Sequence, residues 1–315
     1  MIGMMTVTPS SLILTFMTLL ALDSSVRDAG AQTKACGSEI QAIEINKATL
    51  HYFECGEGEP IVFVHGGIGD LNVFRTQAQT FASRFRVIAY SRRYHPPNAP
   101  PRAQDVYPLS VHVADLRSLV KELKATPAHL VAHSYGAYIA LALSVDHPEL
   151  VRSLVLGEPP LLPLLSRTAV GEATRQSWLR RVTEPSRKAF ESGNLEEGLR
   201  QFLHGVCGTP CFDNFPQSVR TELVETKAPE LRAEMMTEMA AYMPPLDCGD
   251  LGKVKLPTLL VTGERSPAMF LLITAELERC LEGESHVMVP EASHGLHSDN
   301  AGFYNEAVAA FLRRQ

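Results

Sequence analysis

Hydrophobic positions along the chain fall into two alternating patterns. Residues 61–65 (IVFVH), 86–90 (RVIAY), 129–133 (HLVAH), 153–157 (SLVLG), 258–263 (TLLVTG) and 285–290 (SHVMVP) are short runs that are apolar on both faces and rich in branched side chains. Runs of that kind fit central strands of a parallel sheet, covered on both sides. Between them the apolar positions recur at helical spacing, over residues 73–83, 110–124, 135–146, 269–281 and 301–313. Strand–helix alternation predicts an α/β layer structure with right-handed crossovers. Ahead of it, QAIEIN and ATLHYFEC alternate like two strands of a hairpin turning near Asn46-Lys47.

The alternation is interrupted once. Residues 161–246 carry no strand signal and read as helical segments, among them NLEEGLRQFLHG and ELRAEMMTEMAAYM. An insertion of this length predicts a helical cap over a core made of residues 32–160 and 247–315. Met235, Met236, Met239 and Met243 recur at helical spacing. They read first as packing within the cap and alternatively as a flexible pocket lining.

The first 31 residues follow a different pattern. A twelve-residue apolar run at 11–22 is too short to cross a bilayer, and Ala29-Gly30-Ala31 follows it as a small-residue cleavage signal. This predicts a signal peptide and a secreted or periplasmic protein with no stable membrane association after cleavage, although no Lys or Arg precedes the run. The alternative is an uncleaved anchor. Six cysteines follow the cleavage site, and export permits them to pair. The hairpin register brings Cys36 close to Cys55. Cys207 and Cys211 are near enough in sequence to pair, zinc being the rival reading of that spacing.

Charge narrows the choice of partners. The 315-residue chain has 29 basic and 35 acidic residues, a net charge of −6, and no cluster of Lys or Arg. A nucleic-acid partner is not expected.

The candidate chemistry starts at VAHSYGAYIAL, residues 131–141. Ser134 stands between a buried strand and a helix, flanked two residues away on either side by Ala132 and Gly136. A serine on such a bend raises its hydroxyl above the sheet edge, and the small neighbours let strand and helix approach: the nucleophile-elbow pattern, with alanine for the first glycine. Gly66-Gly67, after IVFVH, is a turn able to turn N–H groups toward an oxyanion. Gly67 and Tyr135 are the candidate donors. His65-Gly66-Gly67-Ile68-Gly69-Asp70 does not fit a dinucleotide-binding turn, because Asn72 occupies the third glycine position. His294, on the loop after the final strand, is the candidate base, with His297 as the alternative. Glu158 and Glu264 both follow strands at the edge where Ser134 stands, and both are candidate acids. The SRRYHPP segment reaches the same edge. Tyr94 and His95 are candidate substrate contacts there, and Arg92 and Arg93 candidate anchors of the loop.

With these pieces in hand, residues 38–315 resemble the α/β-hydrolase family, through HGGIGD, AYSRRYHPPN, HLVAHSYGAYIALALSVDHPELVRSLVLGEPP, LPTLLVTGERSP and EASHGLHSDNAGFYNEAVAAFL. The resemblance implies a mostly parallel central sheet flanked by helices, with the helical insertion as a cap. In most members the acid is an Asp three residues beyond the glycine that closes the penultimate strand. That slot holds Ser266 here. Some members place the acid at the end of the preceding strand, where Glu158 stands, and this favours Glu158 over Glu264. The implied activity is serine hydrolysis of a small-molecule carboxylic ester or lactone, medium-sized and partly apolar, with neither cofactor nor metal. Carbon–carbon hydrolases and small aminopeptidases share the scaffold. The latter need an acidic cap site, for which Glu196 and Glu197 are candidates, though they also read as a solvated helix face. A non-catalytic ligand receptor is the reading outside enzymes. Epoxide hydrolysis and dehalogenation would require Asp at position 134.

Overall fold

The structure, a computed structural model, describes residues 36–315 apart from positions 103 and 107. The expected signal peptide lies outside the described residues. Eight strands form one sheet: β1 (Gln41–Ile45), β2 (Ala48–Cys55), β3 (Glu59–Val64), β4 (Phe85–Tyr90), β5 (Ala128–His133), β6 (Val151–Gly157), β7 (Thr258–Gly263) and β8 (Glu284–Val289). Their order is β1-β2-β4-β3-β5-β6-β7-β8. β1 and β2 are antiparallel to each other, and β2 to β4. From β4 onward all pairings are parallel. Asn46 and Lys47 both take positive φ at the hairpin turn, 47° and 65°, the geometry that matches the right-handed twist of the flanking strands.

Alternate side chains of the central strands feed two cores. Val62, Val64, Leu130, Ala132, Leu154 and Leu156 face one side. Helices α2 (Leu109–Glu122), α3 (Tyr135–Asp146) and α11 (Ala268–Cys280) cover them there. Phe63, Val131, Val155 and Val261 face the other side, under α1 (Arg75–Phe81) and α13 (Ala301–Leu312). Burial on both faces is what made these strands read as unbroken apolar runs. In α3 the residues from Tyr135 to Ser144 are all buried, so it is a core helix with no polar face.

Between β6 and β7 the regular elements are all helical. After the 3₁₀ turn Leu162–Arg167 come α4 (Ala169–Trp178), a π-helical turn Leu179–Thr183, α5 (Glu184–Glu191), α6 (Leu195–Cys207), α7 (Gln217–Thr226), α8 (Ala228–Met236) and α9 (Met239–Tyr242). The segment expected as one helix through residues 230–243 is broken. α8 ends at Met236, Thr237 is extended at ψ 140°, and α9 restarts at Met239. The four methionines therefore do not share one helix.

All six cysteines pair: Cys36 with Cys55, Cys207 with Cys211, and Cys248 with Cys280. The third bond ties α10 (Cys248–Leu251) to the end of α11, and no local pattern announced it. The Cys207–Cys211 bond displaces the zinc reading. Among the described residues no helix is long and apolar enough to cross a membrane.

The close approach that positions α3 is at Gly136, where a Cβ would lie 2.2 Å from the Val64 carbonyl oxygen and 2.5 Å from that of His65. Both atoms are backbone and neither can rotate away. Gly136→Ala should lower stability by about 1–3 kcal/mol, read as an earlier midpoint in urea with an unchanged slope. An unaltered midpoint would mean that β3 can retreat from α3 without loss.

Candidate active site

Ser134 caps α3 at φ 54° and ψ −127°, a left-handed conformation for a non-glycine residue. Its N–H donates to the Gly157 carbonyl at 2.7 Å, and its own carbonyl accepts from Ala137 N at 2.8 Å. Gly66 presses from the other side, its virtual Cβ 2.9 Å from that of Ser134. These contacts hold the strained residue in place and turn its hydroxyl out of the sheet edge.

His294 Nε2 lies 3.0 Å from Ser134 Oγ, and Nδ1 lies 2.6 Å from Glu158 Oε2. Glu158 Oε1 accepts from the Gly263 N–H at 2.8 Å. A proton on Nδ1, donated to Oε2, leaves Nε2 as the acceptor for the serine hydroxyl. Glu158 is fully buried and sits at φ 46°, just past the end of β6. The structure thus brings Ser134, His294 and Glu158 together.

The other candidates are placed elsewhere. Glu264 is exposed, and its Oε2 accepts from Glu291 N at 2.8 Å; it fastens the loop before His294. His297 is buried, its ring 4.7 Å from that of Phe74 and 4.9 Å from that of His133. It makes no hydrogen bond to Ser134. Glu196 and Glu197 pair with Arg200 on the outer side of α6, as a solvated helix face does.

Two cavities meet at Ser134. One is an open cleft of about 400 Å³ that includes Gly66, Gly67, His133, Ser134, His294 and Phe215 in its walls. The other is a closed chamber of about 30 Å³ whose walls include Gly67, Ser134, Tyr135, Trp178, Met235, Met239, Met243 and Phe270. Gly67 and Tyr135, the candidate oxyanion donors, are thus at the serine. Three of the four methionines line the chamber, which favours the pocket reading of that pattern.

Tyr94 and His95 require a correction, since neither lines a cavity at Ser134. Tyr94 borders a surface hollow with Lys47, Asn98 and Arg102. His95 is fully buried, with Nδ1 2.9 Å from the Gly69 carbonyl and Nε2 2.8 Å from Glu230 Oε1. The strand before them does end at the catalytic edge, but the loop turns inward beneath the cap. Arg92 and Arg93 anchor that loop. Arg93 is bidentate on Asp115 at 2.7 and 2.8 Å, and Arg92 places both terminal nitrogens 2.9 Å from Glu234 Oε1.

Arg92, His95, His112, Glu230 and Glu234 form a buried charged cluster joining the β4 loop to α8. His95, Glu230 and Glu234 are close enough together to share a metal ion, but the Arg92 guanidinium already supplies the cation. Burial pushes the Glu234 carboxyl well up, with Glu230 adding to the push and Arg92 opposing it. Arg92 also lies over the Tyr135 ring, 5.2 Å from its centre, and that ring stacks on Tyr242 at 4.7 Å. Tyr135 donates its hydroxyl proton to the Tyr242 carbonyl at 2.8 Å. The cap thereby fixes the residue that follows the serine. Three further residues shape the site without having announced themselves in the sequence. Phe270 stacks on the His294 ring at 4.1 Å, Trp178 meets Phe270 edge-on at 6.2 Å, and His133 Nε2 donates to the His294 carbonyl at 2.7 Å. Their partners lie more than 85 positions away in most cases, so no local pattern marked them.

Burial depresses several imidazoles around the site. His65, His95, His112 and His133 are all held well below the ordinary histidine value of 6.5. His297 falls to about 4, through burial first and then the nearby His294. Between a depressed folded value and 6.5 the unfolded chain binds more protons, so stability is intact above that window and lost as pH falls through it. Denaturant unfolding between about pH 7 and about pH 4 should show this loss, and His297→Asn should flatten the slope by about 1.4 kcal/mol per pH unit. An identical slope in the variant would show that His297 titrates alike in the folded and unfolded chain, against the depressed value.

Comparison with known proteins agrees with this architecture. The chain is 33% identical over 131 residues to the uncharacterized hydrolase YraK of Bacillus subtilis (strain 168), a match covering 42% of this chain and about half (48%) of that relative. It is 27% identical over 286 residues to mouse (Mus musculus) epoxide hydrolase 3, covering 87% of this chain and 76% of the relative. Among solved structures, Est816, described as an N-acyl homoserine lactone degrading enzyme, superposes with a TM-score of 0.68 at 19% identity, over 86% of this chain and all of that one (100%). The enol-lactonase from Burkholderia xenovorans LB400 gives 0.65 at 19% identity, over 87% and 100%. Residues 59–301 match the alpha/beta hydrolase fold family, and with the sheet order and the strand–Ser134–helix bend in place, the chain belongs to that family.

Proposed function

We propose that the protein is a serine hydrolase that cleaves a carboxylic ester or lactone through an acyl-enzyme. The observation that carries this reading is the unbroken hydrogen-bonded series Glu158–His294–Ser134, opening onto a cavity that Gly67 and Tyr135 also line. His294 Nε2 takes the hydroxyl proton as Ser134 Oγ attacks the carbonyl carbon. Glu158 keeps the imidazole in the reactive tautomer and stabilises its cation. The N–H groups of Gly67 and Tyr135 face the developing oxyanion, a contribution of about 3 kcal/mol per donor to the barrier. The leaving alcohol departs with the proton from His294. Water, deprotonated by the same nitrogen, then releases the acid.

The mouse relative is named as an epoxide hydrolase, but opening an epoxide through a covalent ester needs a carboxylate at the nucleophile position, and this chain has Ser134 there. An aminopeptidase reading lacks support from Glu196 and Glu197, which point away from the site. Three disulfides support export to an oxidising compartment as part of the same proposal.

A fluorophosphonate should label the wild-type protein at one residue, and Ser134→Ala should abolish both label and ester turnover. Absence of labelling in correctly folded wild-type protein would instead favour a ligand receptor. Glu158→Gln should lower kcat by about three to four orders of magnitude, whereas Glu264→Gln should retain most of it. The reverse ranking would assign the acid to the end of β7. A panel of esters, lactones, aminoacyl amides and carbon–carbon substrates read by kcat/KM decides the bond cleaved.

A further inference from the structure

The two cavities at Ser134 are not equivalent, and His294 tells them apart. Its ring borders the open cleft, while the Phe270 ring lies flat against it at 4.1 Å and 12° and itself lines the closed chamber. In acyl transfer the proton taken from Ser134 must be handed to the leaving oxygen, so the leaving group has to stand on the side where Nε2 is reached. That side is the cleft. The acyl group, opposite the leaving group across the carbonyl carbon, then points into the chamber.

Trp178, the chain's sole tryptophan, is part of the chamber wall. Trp178 also lines a broad groove of about 760 Å³ on the outer surface, with Val170, Ala173, Arg181 and Met269. The neighbours of Trp178 alternate in the same way. Val182 and Met269 face the groove, while Thr183 and Phe270 face the chamber. One layer of side chains thus separates a tight interior pocket from an open apolar trough. The π-helical turn Leu179–Thr183 begins immediately after Trp178, and such turns often mark adjustable positions at functional sites.

We propose that Trp178 is the specificity-determining stop for the acyl group. The chamber accepts a short acyl chain with its end against the indole, and the outer groove is the continuation that the indole closes off. The reading rests on the ester hydrolysis proposed above. About 30 Å³ leaves room for one or two water-sized groups before the walls must yield, and Met235, Met239 and Met243 are the flexible part of that wall. Short acyl esters with a larger alcohol are therefore the substrate class. In acylation the Ser134 Oγ–acyl bond forms, the bond from the acyl carbon to the alcohol oxygen breaks, and that oxygen leaves with the proton from His294 into the cleft.

The test uses p-nitrophenyl esters graded from acetyl to dodecanoyl on the mature full chain. Wild-type kcat/KM should be highest for the shortest acyl groups and fall by at least about tenfold by octanoyl, as expected when a pocket wall excludes added methylenes. In Trp178→Ala, and less so in Trp178→Leu, the octanoyl-to-acetyl ratio of kcat/KM should rise by at least about tenfold. Because the ratio is read, a general loss of activity cancels. An unchanged ratio in variants that still turn over acetyl ester would overturn the role of Trp178. Absence of turnover of every ester by the wild type would overturn the ester reading, and the stop with it. A second measurement needs no variant. Fluorophosphonates bearing ω-bromoalkyl chains of increasing length on phosphorus should quench Trp178 emission once the chain reaches the indole. Full labelling of Ser134 with emission unaltered at every length would equally overturn the proposal.

Discussion

Everything at this site depends on one backbone constraint: the closeness of α3 to the end of β3. The carbonyl oxygens of Val64 and His65 leave no room for a side chain at position 136. Helix α3 can therefore begin only where it does, and the residue before it must turn sharply. Ser134 makes that turn in a left-handed conformation that costs of order 1–3 kcal/mol. The hydrogen bonds from Ser134 N to Gly157 and from Ala137 N to Ser134 offset part of this. The return is positional. A side chain on a rigid kink between a buried strand and a buried helix has almost no freedom, so the Ser134 hydroxyl is held toward His294 at no further ordering cost.

The second constraint comes from the cap. Burying Arg92, His95, Glu230 and Glu234 together carries a desolvation cost that paired charges recover only in good geometry. Such a cluster contributes little to stability when compared with an apolar seam, but it admits few alternative alignments of α8 on the β4 loop. Its reach is what matters here. Arg92 lies over Tyr135, and Tyr135 stacks on Tyr242 and bonds to its carbonyl. The alignment of the cap is therefore transmitted to the residue that follows the serine, and the chamber lined by α4, α6, α8, α9 and α11 keeps its shape relative to Ser134.

What could be read from the sequence follows how local the causes are. β7 is buried along its whole length and its unbroken apolar run showed it. The turn at Asn46-Lys47 and the Cys36–Cys55 pair followed from a hairpin register. Ser134 and His294 were marked by small residues at the elbow and by position after the last strand. The methionine pattern misled in part, because a helical period was carried across the break at Thr237, where extended backbone starts a new helix. Tyr94 and His95 looked like substrate contacts because the strand end was placed correctly, yet nothing local said that the loop would fold inward. That depended on Glu230, 135 positions away from His95. The Cys248–Cys280 bond and the Phe270–His294 stack are likewise products of tertiary assembly, and no window of sequence contains both partners at a telling spacing.

The carboxylate bonded to His294 stands just past the end of β6, not after β7. β6 lies between β5, which delivers Ser134, and β7, so its end is the nearer support for a histidine that must also reach the serine. With Glu158 there, the end of β7 changes its task. Gly263 gives its N–H to Glu158 Oε1 and holds the carboxylate in the plane where its other oxygen meets Nδ1. The loop after it packs so closely that a Cβ on Gly263 would lie 2.5 Å from the Ser293 carbonyl oxygen, and Ser266 is buried beside it. Ser266 Oγ would itself lie 2.7 Å from that Cβ, so the turn has little room for a larger side chain. A small neutral residue at 266 is thus compatible with the closely packed turn whose Gly263 N–H holds the Glu158 carboxylate against His294.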